Sequence, residues 1–136
     1  MRKLLIGLIA LLLVYTSTAQ EKKFAVYGVA FYNLENLCDT KKDSIINDEE
    51  YTSEGANAWD ENKYKNKLNN MAYVLNQLGG KDLPQGPAVI GVSEVENRGV
   101  LEDLVKTNEF AQRGYEIVHY DSPDFRGIDV ALLYNP

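Results

Sequence analysis

PAVIGVSEVENRG, Pro87 to Gly99, is the stretch on which the reading of this chain turns. Ala88 to Val92 is an unbroken apolar run and reads as a buried strand. It runs straight into acid: Glu94 and Glu96 follow, and Asn97-Arg98-Gly99 makes a turn. In open α/β architectures the loops just past strand ends carry ligands and chemistry, because the strands hold them rigidly. Glu94 is therefore the first candidate for a functional group. Glu96, two residues on, shares a face with Glu94 if the chain stays extended. It reads either as a second ligand or as a partner for Arg98.

Upstream, FAVYGVAFY (Phe24 to Tyr32) has no charged side chain and predicts a central strand covered on both faces. It gives way to Asn33-Leu34-Glu35-Asn36-Leu37, so a second strand end also carries amide and carboxylate groups. Residues 38–58 are polar and aperiodic and read as a long solvated loop. From Asp60 the spacing of Tyr64, Leu68, Met71, Ala72, Leu75 and Leu78 predicts an amphipathic helix, with Lys63 and Lys67 on its solvated side. Gly79-Gly80 is its stop. Downstream come a short helix over Val100 to Thr107, a strand over Tyr115 to Tyr120, a loop over Asp121 to Gly127, and a strand over Val130 to Tyr134. This order indicates layered α/β, with helices covering a sheet. The chain stops as a turn begins, directly after that apolar last strand, which predicts a piece of a larger domain.

The first 19 residues stand apart. Arg2 and Lys3, the apolar run Leu4 to Val14 and the small-residue exit Ser17-Thr18-Ala19 form a signal-peptide pattern, with cleavage before Gln20. The apolar run is shorter than the roughly 20 residues of a spanning helix. Residues 20–136 are thus expected as a secreted or periplasmic domain without a membrane span. The chain has 14 Lys and Arg against 20 Asp and Glu. Losing Arg2 and Lys3 leaves 12 against 20, a charge of −8. Such a protein does not hold polyanions by its net field, so action on a phosphate ester requires a bound cation. The single cysteine, Cys38, excludes an internal disulfide and reads as a small buried hydrophobe.

Hard cations such as Mg²⁺ take oxygen ligands, often one or two carboxylates completed by water and substrate phosphate. Glu94 fits as the ligand, and Asn33 as an amide that orients it or touches the ion. Asp129 stands before the last strand near Arg126, and the plain reading of that pair is a surface ion pair. His119, the only histidine, lies inside an apparent strand and reads as structural. Serine-hydrolase, phosphate-loop and zinc-cluster motifs are absent from the sequence.

FYNLENL followed by VIGVSEVEN resembles the endonuclease/exonuclease/phosphatase superfamily, which includes DNase I, exonuclease III and secreted bacterial nucleases. The resemblance spans Phe24 to Pro136 and implies a DNase I-like four-layered α/β sandwich, of which this chain supplies the first half. It implies that Asn33 and Glu94 form part of a catalytic divalent-metal site, with Ser93 replacing the usual Gln before the Glu. ENRGVLEDLV and RGIDVALLYNP are similar to secreted members, which implies that Asp129 and Arg126, with Glu96 in support, border the substrate. The cofactor implied is Mg²⁺, with Mn²⁺ or Ca²⁺ as alternatives. The parent protein is expected to be a phosphoesterase, an endonuclease or phosphodiesterase acting on DNA or RNA through metal-activated water. The resemblance implies that the catalytic Asp-x-Asn and Asp-His pair belong to the family's second half and not to the first half that this chain supplies, so the piece by itself is expected to be inactive. Two alternatives stay open: a non-catalytic secreted binding module, and a phosphatase acting on a phosphorylated lipid or sugar. No obligate protein partner is inferred.

Overall fold

The computed structural model describes residues 24–136, so the signal-peptide reading lies outside the described residues. Four strands form one sheet: β1 (Val29–Leu37), β2 (Val89–Val95), β3 (Glu116–His119) and β4 (Asp129–Tyr134). Their order is β1-β2-β4-β3, with β1 and β2 parallel and the other pairs antiparallel. The helix α1 (Glu61–Asn76) supplies the crossover that a parallel pair demands. A second helix, α2 (Arg98–Val105), follows β2, and short 3-10 turns occupy Glu49–Tyr51 and Asn108–Arg113. No helix among the described residues is long and apolar enough to cross a membrane.

Local chemistry sets both helix starts. The Asp60 side chain accepts from Lys63 N at 2.8 Å, and the Asn97 side chain from Val100 N at 3.1 Å. Each satisfies a donor that the first turn would otherwise leave open, a contribution of about 1 kcal/mol. Tyr64, Leu68, Ala72 and Leu75 are the buried stripe of α1, as their spacing predicts. They meet Val100, Leu101 and Leu104 of α2 and one face of the sheet, where Leu34, Ile90, Val92 and Leu133 are fully buried. Tyr64 also donates to Asp103 Oδ2 at 2.8 Å, tying α1 to α2, and burial drives its hydroxyl pKa far up.

The opposite face of the sheet is uncovered among the described residues, although it carries Val29, Phe31, Val118, Val130 and Leu132. Gly91 faces Phe31 across the β1–β2 register, and a Cβ there would stand 2.9 Å from the ring. This corrects the expectation for the first strand. β1 begins at Val29, not Phe24, lies at the edge of the sheet, and buries one face only. A run apolar at every position carries no alternation, so its sequence cannot show which face is covered. Asn33 accordingly sits within β1 rather than past its end. The architecture is mixed α/β, consistent with part of a DNase I-like fold.

Candidate metal-binding site

The chemistry gathers where β1 and β2 lose register. Asn33 pairs with Ser93 and Leu37 with Val95, which leaves Leu34, Glu35 and Asn36 opposite the single residue Glu94. On the other side of β2, Ser93 pairs with Val130 and Val95 with Asp129, so Glu94 is again skipped. It is the extra residue of a β-bulge, the device that re-aims a side chain out of its alternation. Its backbone is left-handed, φ 60°, and so are those of Glu35 (54°) and Asn36 (57°). For residues other than Gly this conformation costs roughly 1–2 kcal/mol each. Three such residues in one bulge mark a geometry that its surroundings enforce.

The bulge turns Glu94 toward Asn33. Asn33 Nδ2 donates to Glu94 Oε1 at 2.8 Å, and the Asn36 N–H donates to Glu94 Oε2 at 3.1 Å. Asn33 is itself oriented, since its Oδ1 accepts from Glu35 N at 2.6 Å. Lys67, reaching from α1, donates its ammonium to the Glu35 carbonyl and braces the bulge, while burial pulls its pKa down. Each Glu94 oxygen has one hydrogen-bond donor and keeps acceptor capacity. The donor set is all oxygen, held rigidly, and could hold a hard divalent cation completed by water or phosphate.

Beside it opens a cavity of about 490 Å³ lined by Asn36, Cys38, Asp48, Tyr51, Arg126 and Ile128 among others. Glu94 is among the charges acting on Arg126 and on Tyr51, whose hydroxyl pKa is raised chiefly by burial. The guanidinium of Arg126 is held by Asp124, at 2.8 Å from Nη2 and 3.2 Å from Nε.

Two expectations need correction. Glu96 does not share a face with Glu94, because the left-handed residue at 94 breaks the alternation on which that inference rests. Glu96 is buried, 6% exposed, and its Oε2 accepts from Asp39 N at 2.7 Å and Asn97 Nδ2 at 3.3 Å. Nor does it partner Arg98, which pairs with Glu102 at 3.0 Å. Burial pushes the Glu96 carboxyl up to about 7, and the charges of Asp39, Asp48 and Asp43 add to the rise. The neighbouring Cys38 is buried as expected, its thiol pushed up to about 12 by burial and then by Glu96.

Asp129 likewise forms no surface pair with Arg126. It is 4% exposed, lying opposite Val95 on the helix-covered face. Its Oδ2 meets His119 Nε2 at 2.9 Å and its Oδ1 accepts from Ser122 N at 2.8 Å. His119, read from the sequence as structural, has in Asp129 a partner that depends on the β3–β4 pairing and leaves no local signal. Asn36, Tyr51 and Lys67 escaped the sequence reading too. The polar break Asn33 to Asn36 inside an apolar strand was the available sign of a bulge.

Residues 28–136 match the family model described as the Endonuclease/Exonuclease/phosphatase family. The chain belongs to this family. No curated protein and no solved structure matches it. The family consists of hydrolases of the phosphoesterase and nuclease type, acts on phosphodiester substrates such as nucleic acids, and is generally divalent-metal dependent. For that dependence the Glu94 carboxylate, held by Asn33, is the candidate oxygen ligand.

Proposed function

We propose that the parent protein, of which this chain is expected to be the first half, is a Mg²⁺-dependent phosphodiesterase, an endonuclease or a close relative, and that Glu94 is its principal metal ligand. The observation that carries the reading is the Glu94 carboxylate, fixed by Asn33 and the Asn36 N–H on a strained bulge beside an open cavity. A bound divalent ion supplies Lewis-acid stabilisation of a phosphate oxygen as negative charge builds there. Asn33 keeps the carboxylate from rotating away, since both of its own amide atoms are engaged. Arg126, on the cavity wall, is placed to meet a phosphate oxygen, while Asp124 keeps the guanidinium from collapsing onto Glu94. Asp129 acts beneath the surface, holding Ser122 and hence the loop that carries Arg126.

The net charge of −6 supports the same reading, because an acidic protein needs the cation to approach a phosphodiester at all. The test is hydrolysis of plasmid DNA and of a chromogenic phosphodiester by the full-length protein, with and without EDTA. EDTA is expected to abolish turnover, and Glu94→Gln to lower it by at least about a hundredfold. Full activity of that variant at saturating Mg²⁺ would sink the assignment.

A further inference from the structure

A second group of ligand-type side chains lies across the sheet, on β3, β4 and the loop between them. His119, Asp121 and Asp129 each present one donor atom, all within 4.8 Å of one another. Asp129 Oδ1 accepts from Ser122 N at 2.8 Å, and its Oδ2 stands 2.9 Å from His119 Nε2. In the tautomer that donates this Nε2–H to Asp129, the ring presents a lone pair at Nδ1. The His119 side chain is 3% exposed, and Nδ1 has no hydrogen-bond partner among the described residues; what it faces is Asp121 Oδ1, at 4.0 Å.

Two electron-pair donors thus face each other at a separation too long for a hydrogen bond. It suits a shared ion. With ligand bonds of about 2.0–2.2 Å to nitrogen and oxygen, two donors on one metal stand about 3–4 Å apart. The Asp129–His119 contact is also the arrangement that tunes a metal-binding imidazole, in which the second ring N–H is given to a carboxylate so that the ligating nitrogen is fixed and more basic. Asp121 is 95% exposed on its side chain, free to close the small remaining gap.

We propose that His119 Nδ1 and Asp121, with Asp129 as the outer carboxylate, bind a divalent transition ion of the Zn²⁺ type, at a site separate from Glu94. An imidazole nitrogen with a carboxylate selects such ions over Mg²⁺, which prefers oxygen alone. Water completes the coordination. A bound ion ties Asp121 to the end of β3 and so anchors the start of the loop that carries Asp124 and Arg126.

The competing state is an imidazolium held between the two aspartates, which would need no metal. Co²⁺ distinguishes them, since its visible absorption reports nitrogen and oxygen ligation directly. Glu94→Gln protein, stripped with chelator and dialysed, is titrated with Co²⁺ and then Zn²⁺, so that uptake does not depend on the Glu94 reading. One equivalent is expected to bind with a visible band that Zn²⁺ displaces. Adding Asp121→Asn, a change at an exposed side chain that leaves the core intact, is expected to weaken binding by at least about tenfold. No Co²⁺ uptake, or uptake unaltered by Asp121→Asn, overturns the proposal. Hydrolysis lost in Glu94→Gln with this binding retained keeps the two assignments apart.

Discussion

The Glu96→Gln substitution should make this protein more stable at pH 8 and leave it nearly unchanged at pH 4. Glu96 is a buried carboxyl with no cation bonded to it among the described residues, and Asp39, Asp43 and Asp48 act on it with the same sign. Its folded pKa is about 7 against an ordinary 4.5. Between those values the native state binds more protons than the unfolded chain, so stability falls as pH rises. The contribution of the protonated group is fully present below pH 4.5 and is lost by the time the pH has passed 7. A difference of about 2.5 pKa units at 1.36 kcal/mol each gives about 3 kcal/mol across the window.

Glutamine is a fair neutral stand-in, because its Oε1 can accept the Asp39 N–H that Glu96 Oε2 takes at 2.7 Å. Urea unfolding in EDTA at several pH values measures the effect. Trp59 is the only tryptophan and reports from nearby, its Nε1 donating to the Cys38 carbonyl at 3.0 Å. Other titrating groups are common to both proteins, so the difference curve isolates residue 96. It should rise from near zero at pH 4 to about 3 kcal/mol in favour of the variant at pH 8. A flat curve, or a variant less stable than the parent at pH 8, would refute the reasoning.

Two further outcomes follow from the bulge. Asn33→Ala removes the donor to Glu94 Oε1 and the acceptor for Glu35 N, so Mg²⁺ affinity should fall about 10- to 100-fold by calorimetry, as for other groups that orient a metal ligand. Glu35→Gly relieves a left-handed φ of 54° while leaving its main-chain bonds to Asn33 and Lys67 in place, and urea unfolding should show it about 1 kcal/mol more stable.

The parts of this fold legible in the sequence are those governed by short-range chemistry. The stripe from Tyr64 to Leu75 is periodic because α1 has one wet and one dry face, and Asp60 caps it within a single turn. Glu94 and Asn33 stood out because polar groups interrupt apolar strands. Their contact did not, since it joins residues 61 positions apart through a register shift. Glu96 misled for a related reason: the alternation rule assumes extended backbone, and a left-handed glutamate gives no warning of the kind a glycine gives. Gly127 did give one. Its φ is 65°, and a Cβ there would stand 2.3 Å from Ile46 Cδ1, so glycine lets the loop before β4 pack against the loop before α1. The Asp129–His119 contact was hidden because hairpin pairing, not local pattern, decides which side of a strand faces the helices.

The two corrections together explain how a small sheet holds its functional groups. The two carboxylates at the end of β2 divide by the bulge: Glu94 is turned toward Asn33 and Asn36, the second of which lines the cavity, while Glu96 is kept inside, where it binds the start of the long loop through Asp39 N. That loop returns the contact, since Asn47 N donates to the Phe125 carbonyl at 3.0 Å and so meets the second loop. The second loop is fixed from below by Asp129 through Ser122 N and carries Arg126 to the cavity wall. Two buried acidic residues thus hold the loops that reach the cavity, Glu96 through Asp39 N and Asp129 through Ser122 N. Relaxing the left-handed bulge would restore the alternation and put the two glutamates on one face. The strain at Glu35, Asn36 and Glu94 is thus the structural cost of keeping one carboxylate available to a ligand and the other committed to the fold.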